Sequence, residues 1–117
     1  MKYAGSCHCG KVVYEVDMQG EPPEAVQCNC SICSRRGYLL WFLPREQLSL
    51  KTPEAELSHY TFNKHRIKHY FCPQCGCAPF GMSAGKDGKL MAAINVRCLP
   101  EVDVAALKTR SFDGRAL

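Results

Sequence analysis

Gly5–Ser6–Cys7–His8–Cys9–Gly10–Lys11–Val12–Val13–Tyr14–Glu15–Val16 sets a pair of cysteines directly against a segment of alternating polarity. Val12, Tyr14 and Val16 recur at every second residue, the period of a strand with one face buried. Two cysteines one residue apart can both reach a single ion from a tight turn, and zinc takes thiolates in a tetrahedral arrangement. Such a pair supplies only two of four ligands. Far along the chain, Cys72–Pro73–Gln74–Cys75 offers the complement. The two pairs predict a closed four-thiolate site of Cys7, Cys9, Cys72 and Cys75 that ties an N-terminal strand to a distant turn. A structural zinc contributes about 10–16 kcal/mol of apparent binding free energy to folding. For a small core that is enough to decide whether the domain folds.

A third cluster, Cys28–Asn29–Cys30–Ser31–Ile32–Cys33, has a different character. It offers three thiolates from one short stretch, read as a loop leading into a helical turn. Three protein ligands leave the fourth position of a tetrahedral ion open, the arrangement of catalytic zinc. Two alternatives stand beside this reading. Cys77 or Cys98 closes the second site and makes both ions structural, or a single metal is bound and the remaining thiols are free.

The composition supports metal over disulfides. The chain holds nine cysteines in 117 residues, an odd number, and Met1–Ser6 has no apolar stretch of the kind a secretory signal carries. A cytoplasmic setting is therefore expected, where reducing conditions disfavour stable disulfides. The longest apolar run, Tyr38–Leu39–Leu40–Trp41–Phe42–Leu43, is far short of the roughly 18 residues of a membrane span. The formal net charge of +4 hints at nucleic acid. It falls to about +1 once seven thiolates and two divalent ions are counted, so nucleic acid is an unfavoured partner.

The length predicts one domain over residues 1–117. Strands are expected at Lys11–Val16, Ala25–Gln27, Tyr38–Leu43 (ended by Pro44), Leu48–Leu50, Leu57–Phe62, Ile67–Phe71 and Lys89–Val96. Turns are expected at Gly20–Pro23 and Gly85–Gly88, and helical turns within Val102–Lys108. Short strands punctuated by turns make a mostly-β domain with a few short helical turns.

Gly5–Ser6–Cys7–His8–Cys9–Gly10–Lys11–Val12, Cys28–Asn29–Cys30–Ser31–Ile32–Cys33–Ser34–Arg35–Arg36–Gly37 and Phe71–Cys72–Pro73–Gln74–Cys75–Gly76 follow one another in an order that resembles the glutathione-dependent formaldehyde-activating (GFA) enzyme family, which shares its domain with centromere protein V. The strand at Leu90–Val96 and the ending Ser111–Phe112–Asp113–Gly114–Arg115–Ala116–Leu117 are similar too. The resemblance implies a β-tent of folded antiparallel sheets stapled by zinc. It implies a structural zinc on Cys7, Cys9, Cys72 and Cys75 and a second zinc on Cys28, Cys30 and Cys33. It implies a carbon–sulfur lyase joining glutathione to formaldehyde as S-(hydroxymethyl)glutathione. Cys77 departs from the family pattern, standing where many relatives carry Thr or Ser.

On this reading the second zinc is the catalytic centre, and small thiols and aldehydes are the partners. Arg35 and Arg36 directly follow the triplet and can hold a substrate carboxylate bidentately, or they are surface charges on a helical turn. His8 is expected to face solvent or support a ligand. His59, His65 and His69 are each either structural or one acid/base group. Trp41, Phe42, Tyr70 and Phe71 are expected in the core or pocket wall, and Phe80 beneath the structural zinc. Cys77 reads as a buried thiol or a neighbour of the second site, and Cys98 as inert. A rival class is a zinc-stabilised protein- or nucleic-acid-binding module with no catalysis, using Lys64, Arg66 and Lys68 interleaved with Tyr60, Phe62 and Tyr70. A redox-active thiol protein would need exposed, low-pKa cysteines free of metal.

Overall fold

The computed structural model describes residues 1–20, 23–85 and 87–116. Glu21 and Pro22 of the first expected turn, Lys86 of the second, and Leu117 of the ending lie outside the described residues. The chain is mostly β, as its short apolar segments imply. Its strands are β1 (Lys2–Ser6), β2 (Val13–Asp17), β3 (Ala25–Cys28), β4 (Leu40–Pro44), β5 (Leu48–Leu50), β6 (Ser58–Tyr60), β7 (Lys68–Phe71), β8 (Phe80–Ala84), β9 (Leu90–Asn95) and β10 (Thr109–Phe112). One short helix, α1 (Ser31–Arg36), follows β3. No helix among the described residues is long and apolar enough to cross a membrane.

The strands form two sheets, one ordered β1-β2-β5 and the other β10-β3-β4-β9-β8-β7-β6. The larger sheet works as a partition, because successive side chains on a strand point to opposite faces. On β4, Trp41 and Leu43 enter the main core while Leu40 joins a second cluster with Val26, Ile32, Cys33 and Tyr38. On β9, Ile94 goes to the main core and Ala93 to the second cluster. The small sheet packs on the first of these faces. Tyr3 meets Trp41 at 5.5 Å between ring centroids, and Tyr14 meets Phe80 edge-on at 5.3 Å.

The expected strands appear with shifted ends. Tyr38 and Leu39 precede β4 instead of starting it, and Pro44 is its last residue, paired with Met91. A proline is tolerated at a strand end because its missing N–H breaks no interior ladder bond. Leu57–Phe62 shortens to β6 because Phe62 opens a turn closed by His65 N–H donating to its carbonyl at 2.9 Å. Val96 leaves β9 for a 3-10 turn. The turn at Gly85–Gly88 is closed by Gly88 N–H on the Gly85 carbonyl, and a 3-10 turn at Val104–Ala106 fills the expected helical segment. The sheets are not wholly antiparallel: β10 pairs with β3 in parallel, Phe112 opposite Cys28. β3 and β9 both run antiparallel to β4, so the chain leaving β9 crosses back past β4 and β3 before β10 runs in the direction of β3 at the sheet edge.

Trp41 is the largest fully buried side chain, and its indole Nε1–H donates to the Pro23 carbonyl at 2.9 Å. Trp41→Ala is expected to lower unfolding free energy by about 3–5 kcal/mol, measured by urea denaturation of the metal-loaded protein.

Candidate metal and substrate site

Cys7 and Cys9 lie in the turn between β1 and β2, and Cys72 and Cys75 in the connection from β7 to β8. Their four sulfurs lie within 4.8 Å of one another. The Cys7–Cys9 and Cys9–Cys72 separations are both 3.6 Å. Four sulfurs at about 2.3 Å from a tetrahedral zinc stand about 3.8 Å apart, so the cluster could hold the ion with little adjustment. Gly10 and Gly76, each directly after the second cysteine of its pair, have φ of +84° and +82°, a conformation glycine adopts freely. Nearby backbone N–H groups point at the sulfurs: Val12 donates to Cys7 Sγ at 3.2 Å and Gln74 to Cys72 Sγ at 3.4 Å.

A further observation agrees with a charged cluster. The buried Tyr14 hydroxyl has no hydrogen-bond partner among the described residues. Burial raises its pKa, and so do Cys98, Cys7 and Cys77. An orphaned O–H donor near thiols is what a set of metal-held thiolates would use. Phe80, expected beneath this site, packs against Tyr14 in the core.

Cys77 and Cys98, the two thiols that could have closed the second site, gather beside the first. The Cys72 N–H donates to the Cys77 carbonyl at 2.9 Å, and the Cys77 thiol is raised: the His8 N–H lowers it, but burial and the Cys75 and Cys7 thiols outweigh that. Burial pushes the Cys98 thiol up to about 11, helped by Cys77, Cys7 and Cys75. The second cluster therefore consists of Cys28, Cys30 and Cys33 alone among the described residues, with their sulfurs also within 4.8 Å of one another. Burial raises the Cys33 thiol well above its ordinary range, as do Cys30 and Cys28. Cys30 is lowered: burial opposes this, but the Cys33 N–H and the thiols of Cys33 and Cys28 outweigh it. Three soft sulfur donors with the fourth direction free suit zinc in its open form.

The C-terminal segment clasps this triplet. Asn29, between the first two cysteines, donates from Nδ2 to Asp113 Oδ1 at 3.0 Å and accepts at Oδ1 from the Arg115 N–H at 3.1 Å. Arg115 Nε–H donates to the Asn29 carbonyl at 3.0 Å, and Asn29 N–H to the Phe112 carbonyl at 3.2 Å. Gly114 lies so close that a Cβ there would collide with Cys28 Sγ and stand 3.0 Å from Cys30 Cβ. The sequence reading missed Asn29 and Gly114 as supports. The only signal was their adjacency to cysteine and to the ending Asp113–Gly114–Arg115.

The triplet opens onto a cavity of about 430 Å³ on the second face of the large sheet. Three rings stack along it: Tyr38 on His69 with planes 21° apart, and His69 on Phe62 at 24°. Tyr60 continues the stack outward over Phe62. His69 is buried, which lowers its pKa, as does the Arg36 charge. Lys64 and Arg66 also line the cavity. A second cleft of about 580 Å³ also reaches Cys28 and Cys33, lined by Asn29, Arg97 and Asp113.

The remaining sequence candidates fall elsewhere. Arg35 Nη1 donates to the Ser31 carbonyl at 2.8 Å, and Arg36 Nη1 to the Tyr38 hydroxyl at 2.8 Å, with its guanidinium over the Phe71 ring. Neither lines the cavity. His8 and His59 are exposed, and His65 is held by the Thr61 hydroxyl at 2.8 Å. Tyr70 is buried against Phe80, so the anticipated strip of basic and aromatic residues is interrupted. Trp41 is core, whereas Phe42 is 53% exposed at the cavity mouth.

Comparison with known proteins bears on the whole chain. A family profile described as "Glutathione-dependent formaldehyde-activating enzyme" matches residues 2–110. The crystal structure of a Rhodobacter sphaeroides protein superposes with a TM-score of 0.77 at 28% sequence identity, covering 96% of this chain and 100% of that one.

Supports of this kind typically change metal affinity about 10–100-fold when lost. Asn29→Ala and Gly114→Ala are expected to weaken cobalt binding at the triplet by that factor and to leave the four-thiol cluster filled. Cobalt titration, following the thiolate charge-transfer band, reads both sites at once. Equal loss at both sites would show general unfolding instead.

Proposed function

We propose, because this chain belongs to the glutathione-dependent formaldehyde-activating enzyme family, that it forms and cleaves thiol–aldehyde adducts at the Cys28–Cys30–Cys33 site as a zinc-dependent carbon–sulfur lyase. The supporting observation is the contrast between the two clusters. One has four thiols and no free direction. The other has three thiols and faces a cavity. When bound at the triplet, zinc supplies a positive charge that favours thiolate over thiol and polarises a carbonyl.

The chain's own residues supply the rest. In the forward direction the substrate sulfur attacks the aldehyde carbon. A C–S bond forms, the C=O π bond breaks, and the thiol proton ends on the new hydroxyl oxygen. No electron is gained or lost, so no oxidant is needed. His69 is the proton carrier on this reading, since it is the histidine that lines the cavity and its burial keeps it neutral at pH 7. Tyr38 and Phe62 fix its ring by stacking on both faces. Lys64 and Arg66, which line the cavity, take the role of anion clamp, while Arg35 and Arg36 bond the Ser31 carbonyl and the Tyr38 hydroxyl. Glutathione with formaldehyde, the pair in the family's description, is the first substrate pair to try.

Metal analysis of wild type is expected to give about two zinc ions per chain, falling to about one in Cys30→Ser with the fold retained. Exchange between ¹³C-formaldehyde and its thiol adduct, read by NMR, should be accelerated by wild type and lost in Cys30→Ser. Two ions with no acceleration by any thiol would sink the enzymatic reading.

His69→Gln should slow exchange about a hundredfold or more while both metals stay bound. The sign of the pH dependence follows from the lowered histidine pKa. The neutral base persists below its ordinary titration near 6.5. Wild-type activity should therefore hold through that pH and fall only at lower pH, as the ring protonates. His69→Gln should lose this limb of the profile.

A further inference from the structure

We infer that the substrate body held in the cavity is apolar and carries a single anionic end, so that the preferred thiol is an aryl- or alkyl-bodied mercaptocarboxylate and not a polar tripeptide. This rests on the lyase reading for its chemistry, but its evidence is the cavity itself. Its apolar walls include Leu40, Phe62, Met91 and Ala93. Ligand cavities draw affinity from apolar walls and orientation from a few polar groups. Here the charged groups are Lys64 and Arg66, and no Asp or Glu lines the space among the described residues.

The charge balance discriminates between ligands. Glutathione brings two carboxylates, an ammonium and two amides. Its ammonium would find no carboxylate among the described lining residues, and its two amides would compete for the few polar side chains there, Asn63 and Ser83 among them. Burying a polar group without a partner is unfavourable, and burying an unpaired charge more so. A single carboxylate on an apolar body meets cations at the rim and hydrocarbon within. The same asymmetry appears at the mouth, where Phe42, Ile67 and Phe112 are each more than 40% exposed. Met91 in the wall adapts to bodies of different shape. The aldehyde needs little of this volume, and the second cleft, which also reaches Cys28 and Cys33, offers it a separate approach.

The chemistry is the addition already written, with the mercaptocarboxylate sulfur forming the C–S bond and its proton passing to the aldehyde oxygen. The test uses the zinc-loaded protein and named probes. Binding of 2-mercapto-3-phenylpropanoate, glutathione, and the thiol-free 3-phenylpropanoate and 3-phenylpropanol is measured by calorimetry, and formaldehyde exchange with the two thiols by NMR. The aryl mercaptocarboxylate should bind about tenfold or more tightly than glutathione. The thiol-free 3-phenylpropanoate should bind more tightly than the neutral alcohol, and Lys64→Gln with Arg66→Gln should erase that difference. Ala93→Phe, which fills the cavity wall, should weaken both aryl probes and leave the metal content unchanged.

The outcomes separate the two readings. If glutathione binds as well as the aryl thiol and is exchanged, the lyase reading stands and the substrate class is overturned. If the aryl probes bind by these rules but exchange is not accelerated, the ligand class stands and the lyase reading fails. If no aryl probe binds, or the alcohol and carboxylate bind alike, the inference is wrong.

Discussion

Four sulfurs drawn to within 4.8 Å of one another cannot all ionise unless a cation lies among them. The charge-free alternative is visible in how the thiols divide. Backbone N–H groups of Cys77 and Cys9, with the Cys72 and Cys7 thiols, bring Cys75 down to about 5. Cys9 accepts a lowering bond from the Lys11 N–H, yet burial and the same neighbouring thiols push it up to about 12. A divalent ion removes this conflict by stabilising every thiolate together. The consequence is architectural, because the two pairs belong to different sheets. An ion there would fasten the β1–β2 hairpin of the small sheet to the β7–β8 connection of the large one. The aromatic contacts Tyr3–Trp41 and Tyr14–Phe80 would then be held across the same join.

With one face of the large sheet committed to that core, the other is free for chemistry. The period-two geometry of strands assigns neighbours to opposite roles. Tyr70 packs into the core while His69, one residue earlier, stacks in the cavity. Trp41 is buried against Tyr3 while Phe42 stands at the cavity mouth. The long apolar run around Trp41 is continuous for this reason: both of its faces are covered at some point along the strand.

What the sequence disclosed follows from which signals are local. Cysteine spacing named both thiol clusters, because a metal pair in a tight turn has a fixed reach. Alternation found β2, and β-rich composition found β7. It could not find β10, whose four residues are all exposed and whose pairing with β3 depends on the path of the whole chain. β1 was hard to see because Ala4, Gly5 and Ser6 carry little hydrophobic contrast. The choice among three histidines was closed to sequence as well. His59 and His69 sit in similar strand-like contexts, and only the register of β6 and β7 turns one outward and the other into the cavity. Arg35 and Arg36 directly follow the triplet along the chain, which suggested a place beside the ligand, yet neither lines the cavity. A six-residue helix instead directs them to its own carbonyl and to Tyr38.

The two thiol clusters also differ in what holds them in place, and that difference fits the roles proposed for them. The four-thiol cluster is fixed by two glycine turns beside the main core, with Cys7 and Cys72 almost wholly buried. The triplet is fixed on one side by α1 and on the other by an exposed C-terminal strand that meets β3 alone. Segments with few buried contacts and exposed backbone bonds open at low free energy. A three-ligand ion on such a support would exchange its fourth partner readily, whereas one in a closed site in the core would not. Asn29 resolves the tension between access and order. Its side chain and backbone bond the tail at both ends of the clasp, so the triplet keeps its geometry while its open direction stays turned to the cavity.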